Sequence, residues 1–123
     1  MKPHPTSSIQ SSLEKILAPD RVLSRWLDSL AYASDASCYR IIPEAVVRPI
    51  SVQEIQALFK WSTHHKIPLC FRAAGTSLSG QSVTNGVIVD ISRNWDNVEV
   101  IDDGKRVRVQ PGVIGSKVNQ ILR

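Results

Sequence analysis

The residues best suited to binding an anion form one short loop at 72–81, directly after an apolar run at 67–71. Gly75 and Gly80 allow backbone angles and close approaches that a side chain would prevent, so successive N–H groups can converge on a phosphate. Arg72 stands at the mouth of the loop as a possible charge partner. Additional hydroxyl donors are Thr76, Ser77 and Ser79. The loop therefore predicts binding of a phosphate group.

Two known phosphate-binding motifs do not fit this loop. Gly75 and Gly80 have the glycine spacing of a Walker P-loop, but the chain continues with Gln81-Ser82, so the phosphate-binding lysine is missing. No Gly-x-Gly-x-x-Gly occurs in the sequence, which excludes the dinucleotide-binding Rossmann fingerprint. Taken alone, the loop is more simply explained as a surface turn rich in glycine and serine.

The cysteines and histidines do not form a predicted metal or catalytic site. Cys38 and Cys70 lack metal-ligand spacing, and Cys70 lies in an apolar run where a thiol behaves as a small hydrophobic group. His4 lies near the N-terminus, while His64 and His65 fall at the end of a predicted helix, where partial positive charge is favourable. We expect reduced, structural cysteines and no bound metal.

The composition is that of one soluble domain. The chain has 123 residues, of which 42% are hydrophobic, and this is enough for a single core. No apolar run approaches the ~20 residues that span a bilayer, and residues 1–8 lack the apolar stretch of a secretory signal, so a cytoplasmic location is expected. The 15 lysines and arginines exceed the 11 acidic residues but are scattered, which argues against a nucleic-acid partner.

A βαβ unit is predicted to position the loop. A strand at 45–48 leads to a capping box, in which Ser51 accepts the N–H of Glu54 and Glu54 reaches back to the N–H of Ser51. A helix over 52–65 follows. Its predicted buried face consists of Val52, Ile55, Leu58, Phe59 and Ser62. The next strand, at 69–71, brings the loop to the carboxyl end of a parallel strand, where ligands usually bind.

The other segments predict flanking helices and an antiparallel pair. Residues 1–7 are expected to form a flexible tail, after which apolar residues recur with helical spacing from Ile9 to Leu17. Alternation in the second hairpin strand puts Val107 and Val109 on one face and polar residues on the other. The elements predicted are a helical segment near Trp26, an ordered loop at 35–43, a buried strand at 87–91, a hairpin of strands 97–101 and 106–110, and a helix over 115–123.

Several motifs in a fixed order resemble those of a known family. They are Val-Val-Arg-Pro-Ile-Ser-Val-Gln-Glu-Ile at 46–55, Ile-Pro at 67–68, Arg-Ala-Ala-Gly-Thr-Ser-Leu-Ser-Gly-Gln at 72–81, Val-Asp-Ile-Ser-Arg at 89–93 and Val-Gln-Pro-Gly-Val at 109–113. From Tyr32 onwards the chain is similar to the FAD-binding domain of the p-cresol methylhydroxylase and vanillyl-alcohol oxidase superfamily, in its D-lactate dehydrogenase and glycolate oxidase branch. In that branch an Asp-Ala-Ser-x-Tyr-Arg stretch, here at 35–40, precedes the first strand; we interpret it as a packing loop.

The resemblance implies an α+β fold, with a small parallel βαβ subdomain, flanking helices and the start of an antiparallel subdomain. Residues 1–123 would be a partial FAD-binding domain of the p-cresol methylhydroxylase type. Its first α/β subdomain would lie at about 8–95 and its truncated second subdomain at about 96–123. The family's domain continues into more strands and a substrate domain, so we expect the N-terminal piece of a larger flavoprotein. An exposed sheet edge in such a piece would invite self-association.

The resemblance also implies a function for the parent protein: oxidation of a 2-hydroxy acid of the D-lactate or glycolate type by hydride transfer to FAD. The parent would be cytoplasmic or peripheral to the membrane, and within it the residues of this piece would bind the cofactor and not catalyse. Thr76 stands where some members attach flavin through a histidine, so binding would be non-covalent. Arg72 would contact the pyrophosphate or pair with Asp90. The implied cofactor-binding residues are Arg72, Ala73, Ala74, Gly75, Thr76, Ser77, Leu78, Gly80, Gln81, Pro111 and Gly112.

Two alternatives from other functional classes remain open at this stage. One is a non-catalytic α/β interaction module, and the other is a small phosphate-binding domain that uses the same loop. A long continuation with further glycine-rich strands would favour the flavoenzyme.

Overall fold

The computed structural model describes residues 7–123, which form helices packed around a parallel sheet, followed by a β-hairpin. The helices are α1 (Ser7–Leu13), α2 (Trp26–Ala31), α3 (Val52–His65) and α4 (Gly115–Ile121). The strands are β1 (Val22–Leu23), β2 (Ala45–Val47), β3 (Leu69–Arg72), β4 (Val87–Asp90), β5 (Val98–Ile101) and β6 (Arg106–Val109). The tail predicted at 1–7 lies outside the described residues except for Ser7, where α1 begins.

The larger sheet has the strand order β1-β2-β4-β3. Strands β2, β4 and β3 are parallel, and the short β1 pairs antiparallel with β2. The predicted βαβ unit is present, but β4 lies between β2 and β3, which do not pair with each other. Strand β4 lies between two other strands, and other segments of the protein cover both faces of the sheet there. All four residues of β4 are therefore buried. The sheet therefore brings the segments after β3 and after β4 to one edge.

The main core lies between one face of the sheet and helices α1 and α3. Its buried members are Leu13, Leu17, Val22, Ala45, Val47, Leu58, Trp61, Val87, Val89 and Ile91. Helix α1 ends at Leu13, earlier than its apolar spacing predicts, because the N–H of Ile16 bonds the carbonyl of Leu13 in a tighter i→i+3 turn. Leu17 still reaches the core, so the apolar stripe predicts burial more accurately than helix length.

The buried face of α3 is partly different from the predicted one. Leu58 and Trp61 are its buried residues, whereas Val52 is 55% exposed and Phe59 is 54% exposed. The ring of Phe59 lies 5.7 Å, centroid to centroid, from that of Phe71 on the edge strand β3. Since no strand of the sheet lies beyond β3, this aromatic pair remains at the surface.

The start of α3 confirms the predicted capping box. The N–H of Glu54 donates to the Ser51 hydroxyl at 3.2 Å. The Glu54 carboxylate, however, accepts the N–H of Ile50 at 2.8 Å and a two-pronged bond from Arg21, with both distances 2.7 Å. The N–H of Ser51 also contacts this carboxylate, so the predicted return bond is present but is secondary to the charge-assisted pair with Arg21 and the bond from Ile50.

Strands β5 and β6 form the predicted hairpin as a separate two-stranded sheet. Val98 pairs with Val109 and Val100 with Val107, so one face is apolar, as the alternation predicts. Trp95, just before the hairpin, packs against the main core and donates its indole N–H to the carbonyl of Pro49 at 2.7 Å. The α+β class and the order of a parallel sheet followed by an antiparallel pair are confirmed.

Candidate anion-binding site

The Gly/Ser loop, residues 73–81, begins directly after β3 and so leaves the carboxyl edge of the parallel sheet. The turn at Pro111–Gly112 approaches the same edge. The N–H of Gly112 donates to the carbonyl of Trp95 at 2.7 Å, and a Cβ on Gly112 would stand 2.5 Å from the carbonyl oxygen of Ile91. Ile91 follows β4, the neighbour of β3, so the fold brings both predicted segments to one edge.

Both glycines of the loop have backbone angles in the left-handed region. The φ angle is +67° at Gly75 and +72° at Gly80, where a side chain is strained. Each is also tightly packed on its Cβ side. A Cβ at Gly75 would stand 2.6 Å from Nη2 of Arg72, and one at Gly80 would stand 2.7 Å from Cδ2 of Tyr39. A side chain at either position would therefore strain the backbone and displace the neighbouring Arg72 or Tyr39 side chain.

The backbone N–H groups of residues 74–78 donate no hydrogen bond to any described residue. Amide groups without an internal acceptor need water or a ligand as their partner. Five such groups in succession, beside a glycine in the left-handed region, are typical of the backbone concavities that bind phosphate. This run of donors is the feature of the loop that best fits the pyrophosphate of a dinucleotide.

Ser77 organises the second half of the loop from within. Its hydroxyl oxygen accepts the N–H of Ser79 at 3.2 Å and the N–H of Gln81 at 3.0 Å. The Gln81 carbonyl in turn accepts the thiol of Cys70 at 3.3 Å. The Gln81 N–H is therefore already occupied, and any contact of Gln81 with a ligand would come from its exposed side chain.

Arg72 turns its guanidinium beneath the loop. Its Nη1 donates to the carbonyl oxygens of Tyr32 at 3.2 Å, Ser34 at 2.9 Å and Ser82 at 3.4 Å. The predicted alternative, a salt bridge from Arg72 to Asp90, is wrong. The carboxylate of Asp90 instead pairs with Arg48 at 3.1 Å, because Arg48 is held beside it by the hydroxyl of Tyr32. A direct contact of Arg72 with pyrophosphate remains a prediction.

Asp35 anchors the exit of the loop. Its Oδ2 accepts the hydroxyl of Ser82 at 2.9 Å and the N–H of Ser82 at 3.3 Å. Its Oδ1 accepts the N–H of Ser37 at 2.9 Å and the hydroxyl of Ser37 at 2.5 Å. These donors, the Ser37 hydroxyl foremost, lower the pKa of Asp35 to about 2. The contacts support the interpretation of the 35–40 stretch as a packing loop.

Acid should loosen this anchor in a defined pH range. The pKa of Asp35 is lower in the folded chain than in an unfolded one, so its ionised form stabilises the fold above about pH 4. This stabilisation should be lost as the pH falls through about 2. An NMR titration of the Asp35 carboxyl carbon should give that midpoint. In Ser37→Ala the midpoint should rise, and an unchanged midpoint would contradict the role given to Ser37.

A second polar cluster lies under the site, on the face of the sheet opposite α3. The hydroxyl of Tyr32 donates to Asp90 at 2.6 Å and accepts Nη2 of Arg48 at 2.9 Å. Asp90 is only 2% exposed. Burial alone would raise its pKa, but hydrogen bonds from Ser92, Tyr32 and Arg48 outweigh burial and hold the pKa below its ordinary value. Burial, followed by the bond to Asp90, raises the pKa of Tyr32.

Sequence reasoning missed the polar cluster beneath the loop and one packing contact of the loop. Three separate segments contribute Tyr32, Arg48 and Asp90, so no local sequence pattern indicates that these side chains are in contact. Tyr39, whose ring packs against Gly80, had a weak signal, because it lies in the 35–40 stretch. Leu78, which is one of the predicted site residues, lies at the loop surface and is 80% exposed.

Two further classes of site have no support in the described part of the chain. Residues 7–123 contain no group of three or more His, Cys, Asp or Glu side chains that could hold a metal ion. None of the helices in this range has both the length and the apolar character needed to cross a membrane.

Comparison with known proteins gives one family and a consistent set of relatives. A family model described as an FAD binding domain matches residues 43–123. D-2-hydroxyglutarate dehydrogenase of Haemophilus influenzae is 33% identical over 106 residues, covering 83% of this chain and 10% of that protein. Glycolate oxidase subunit GlcD of Bacillus subtilis is 28% identical over 112 residues, covering 89% of this chain and 24% of that protein. The chain thus spans only a small part of each relative.

Solved structures share the fold. An alkyldihydroxyacetonephosphate synthase matches 99% of this chain and 26% of its own, with a TM-score of 0.80 and 18% identity. A p-cresol methylhydroxylase with substrate bound matches 94% of this chain and 24% of its own, with a TM-score of 0.74 and 17% identity.

Proposed function

Because this chain belongs to the FAD-binding domain family, we propose that its Gly/Ser loop holds the pyrophosphate of FAD through the backbone N–H groups of residues 73–78. The observation that carries the proposal is the run of amides at 74–78 without acceptors, next to Gly75 in the left-handed region. Gly80 and Gln81 would continue the contact. The exposed side chains around the glycines are short, apart from Leu78 and Gln81, so a phosphate can reach the backbone.

Pro111 and Gly112 would shape the cofactor site rather than donate to it. Proline has no N–H, and the N–H of Gly112 is occupied by the carbonyl of Trp95. Gly112 packs closely on Ile91 and Trp95, so this turn lies directly against the edge of the sheet. A flat turn of this kind leaves room for a long ligand to run from the Gly/Ser loop across the end of β4.

The parent protein would be an FAD-dependent dehydrogenase or oxidase of 2-hydroxy acids. Relatives named D-2-hydroxyglutarate dehydrogenase and glycolate oxidase subunit support this substrate class. When bound, the flavin would accept the hydride removed from the substrate, while the residues of this chain bind and orient the cofactor. We assign residues up to about 95 to a first subdomain and the hairpin with α4 to the start of a second one. We place the parent in the cytoplasm or at the membrane periphery.

The 123-residue chain alone should fold but bind FAD poorly and oxidise nothing. The Gly/Ser loop can contact only the pyrophosphate, which lies in the middle of FAD. Contacts to this part alone bury too little surface to offset the entropy of association. Titration followed by flavin fluorescence should therefore detect no tight, saturable site, and D-lactate, glycolate or D-2-hydroxyglutarate should reduce no flavin. A yellow, monodisperse monomer that bleaches with any of these acids would overturn the proposal for the isolated chain.

The same chain should self-associate at raised concentration. The hairpin has two strand edges without a partner among the described residues, and Val100 and Val109 on its apolar face are both more than two-fifths exposed. We assign the covering of this surface in the parent protein to further parts of the FAD-binding domain.

Flavin in the parent protein should be bound without a covalent link to this loop. Thr76 has no nucleophilic ring nitrogen with which to form one. Acid precipitation of the holoprotein should therefore release all yellow colour into the supernatant. Colour retained in the pellet would contradict this prediction if the flavin were mapped to a peptide from the Gly/Ser loop.

A further inference from the structure

On the premise that the Gly/Ser loop binds pyrophosphate, we propose that Arg72 is a positioning residue, which fixes both ends of the loop instead of neutralising the phosphate charge. A guanidinium beside a phosphate-binding loop would ordinarily be assigned a direct ion pair with the ligand. The contacts of Arg72 favour the indirect role.

At the entry to the loop, Arg72 lies on the side of Gly75 where a Cβ would project. The Nη2, Cζ and Nε atoms all lie 2.6–2.8 Å from that Cβ position, so the guanidinium packs flat against the glycine. The carbonyl of Gly75 accepts the N–H of Ala36 at 3.1 Å. Gly75 is therefore held between Arg72 and the segment that carries Ala36, and this fixes the amides that follow it.

At the exit from the loop, all three polar groups of Ser82 are occupied. Asp35 accepts its N–H and its hydroxyl, and Nη1 of Arg72 donates to its carbonyl. Ser82 is itself buried. Because Nη1 also donates to the carbonyls of Tyr32 and Ser34, one side chain joins the exit of the loop to the segment before Asp35. The loop is thus closed by contacts that Arg72 holds together.

Arginine suits this task better than lysine would. Three carbonyl oxygens and the ring of Tyr32, whose centroid lies 5.3 Å from Cζ, surround one planar group. A guanidinium supplies several donors in a fixed fork and stacks on aromatic rings, whereas an ammonium group is a compact charge with a stronger hydration shell. Lysine at this position would keep the charge but could not reproduce the set of contacts.

The test compares Arg72→Lys with Arg72→Met in the parent flavoprotein. Affinity for FAD is measured at several salt concentrations, with Arg108→Met as a control that removes an exposed arginine far from the loop in sequence. We expect both Arg72 variants to bind FAD at least about tenfold more weakly, because methionine leaves the carbonyls without a donor and lysine cannot reproduce the planar packing on Gly75 and the ring of Tyr32. The salt dependence should match that of the wild type. Arg108→Met should bind as the wild type does.

Hydrogen exchange of the parent protein without FAD tests the same role independently of cofactor binding. The amides of Ala36 and Ser82 should exchange faster in both Arg72 variants, while the amides of β4 remain protected. Wild-type affinity in Arg72→Lys together with weak binding in Arg72→Met would overturn the proposal and assign Arg72 a direct charge contact. Wild-type affinity or unchanged exchange in both variants would also overturn it.

Two additional variants keep the outcome decisive. Should neither Arg72 variant fold, Arg72→Gln replaces them, because its amide keeps N–H donors without the charge: faster exchange at Ala36 and Ser82 together with weaker FAD binding of wild-type salt dependence supports the positioning role, and wild-type exchange or wild-type affinity overturns it. Gly75→Val tests the pyrophosphate site itself. If that variant retains FAD, the proposed function fails, whereas the exchange of Ala36 and Ser82 still reports whether Arg72 anchors the loop.

Discussion

Replacing Gly75 with valine is expected to abolish FAD retention by the parent flavoprotein while leaving its fold largely intact. The φ angle of +67° at this residue is strained for any side chain, at a cost of about 1–3 kcal/mol, and more for a β-branched one. The new Cβ would also stand 2.6 Å from Nη2 of Arg72. A shift of the Arg72 guanidinium can relieve this contact, but the φ strain is relieved only by moving the backbone, which carries the amides proposed to hold the pyrophosphate.

The matched control is Gly104→Val in the hairpin turn. Gly104 also has a positive φ angle, +85°, but a Cβ there would meet no atom within 4 Å. This variant should suffer similar backbone strain and still retain its flavin. The ratio of flavin to protein after gel filtration, read from the absorption spectrum, compares the two. A full flavin complement in Gly75→Val would show that this loop is not the pyrophosphate site.

Replacing Arg48 with methionine is expected to destabilise the chain by about 3–5 kcal/mol, because a buried charge pair is broken from one side. Asp90 would keep its carboxylate in an environment that is 2% exposed, with the bonds from Tyr32 and Ser92 but no neutralising partner. Domains of this size are stable by only about 5–15 kcal/mol. Urea unfolding should therefore show a large fall in the transition midpoint.

Arg108→Met makes the same chemical change in an exposed ion pair. Arg108 donates to Glu99 at 2.8 Å, with side-chain exposures of 72% and 50%. Such pairs contribute about 0–1 kcal/mol, so the midpoint should hardly move. If Arg48→Met proves too unstable to purify, Tyr32→Phe removes one hydrogen bond from the same cluster and should give a smaller loss. Equal midpoints for Arg48→Met and Arg108→Met would refute the stabilising role of the buried pair.

The parts of the fold that follow from local chemistry could be predicted from the sequence. The capping serine and helical spacing predicted α3 with the bounds it has, Val52–His65. Alternation and the turn at 102–105 predicted the hairpin and its apolar face. The glycines after the apolar strand predicted a loop with positive φ angles and little bulk, since these are properties of the residues themselves; anion binding by this loop stays a prediction.

The parts that depend on tertiary contacts could not be predicted in the same way. Phe59 has the spacing of a core residue, but its burial depends on how far the sheet extends, and β3 is the edge strand. One of the two roles considered for Arg72 was pairing with Asp90, which lies beside it in the β3–β4 register, whereas the ion pair of Asp90 forms with Arg48 at the end of β2. Charged side chains on adjacent parallel strands compete for one carboxylate, and packing decides between them.

Because of the position of β4, the parallel sheet can form during synthesis only after β4 itself has been made. This strand is the only element that pairs with both β2 and β3 among the described residues, yet it follows both in the chain. A nascent polypeptide that has reached only the Gly/Ser loop can form α3 from local contacts, but two of its strands still lack the neighbour that joins them. Their unpaired edges are exposed until residue 90 has left the ribosome tunnel, which makes this interval the one in which chaperone binding would matter most.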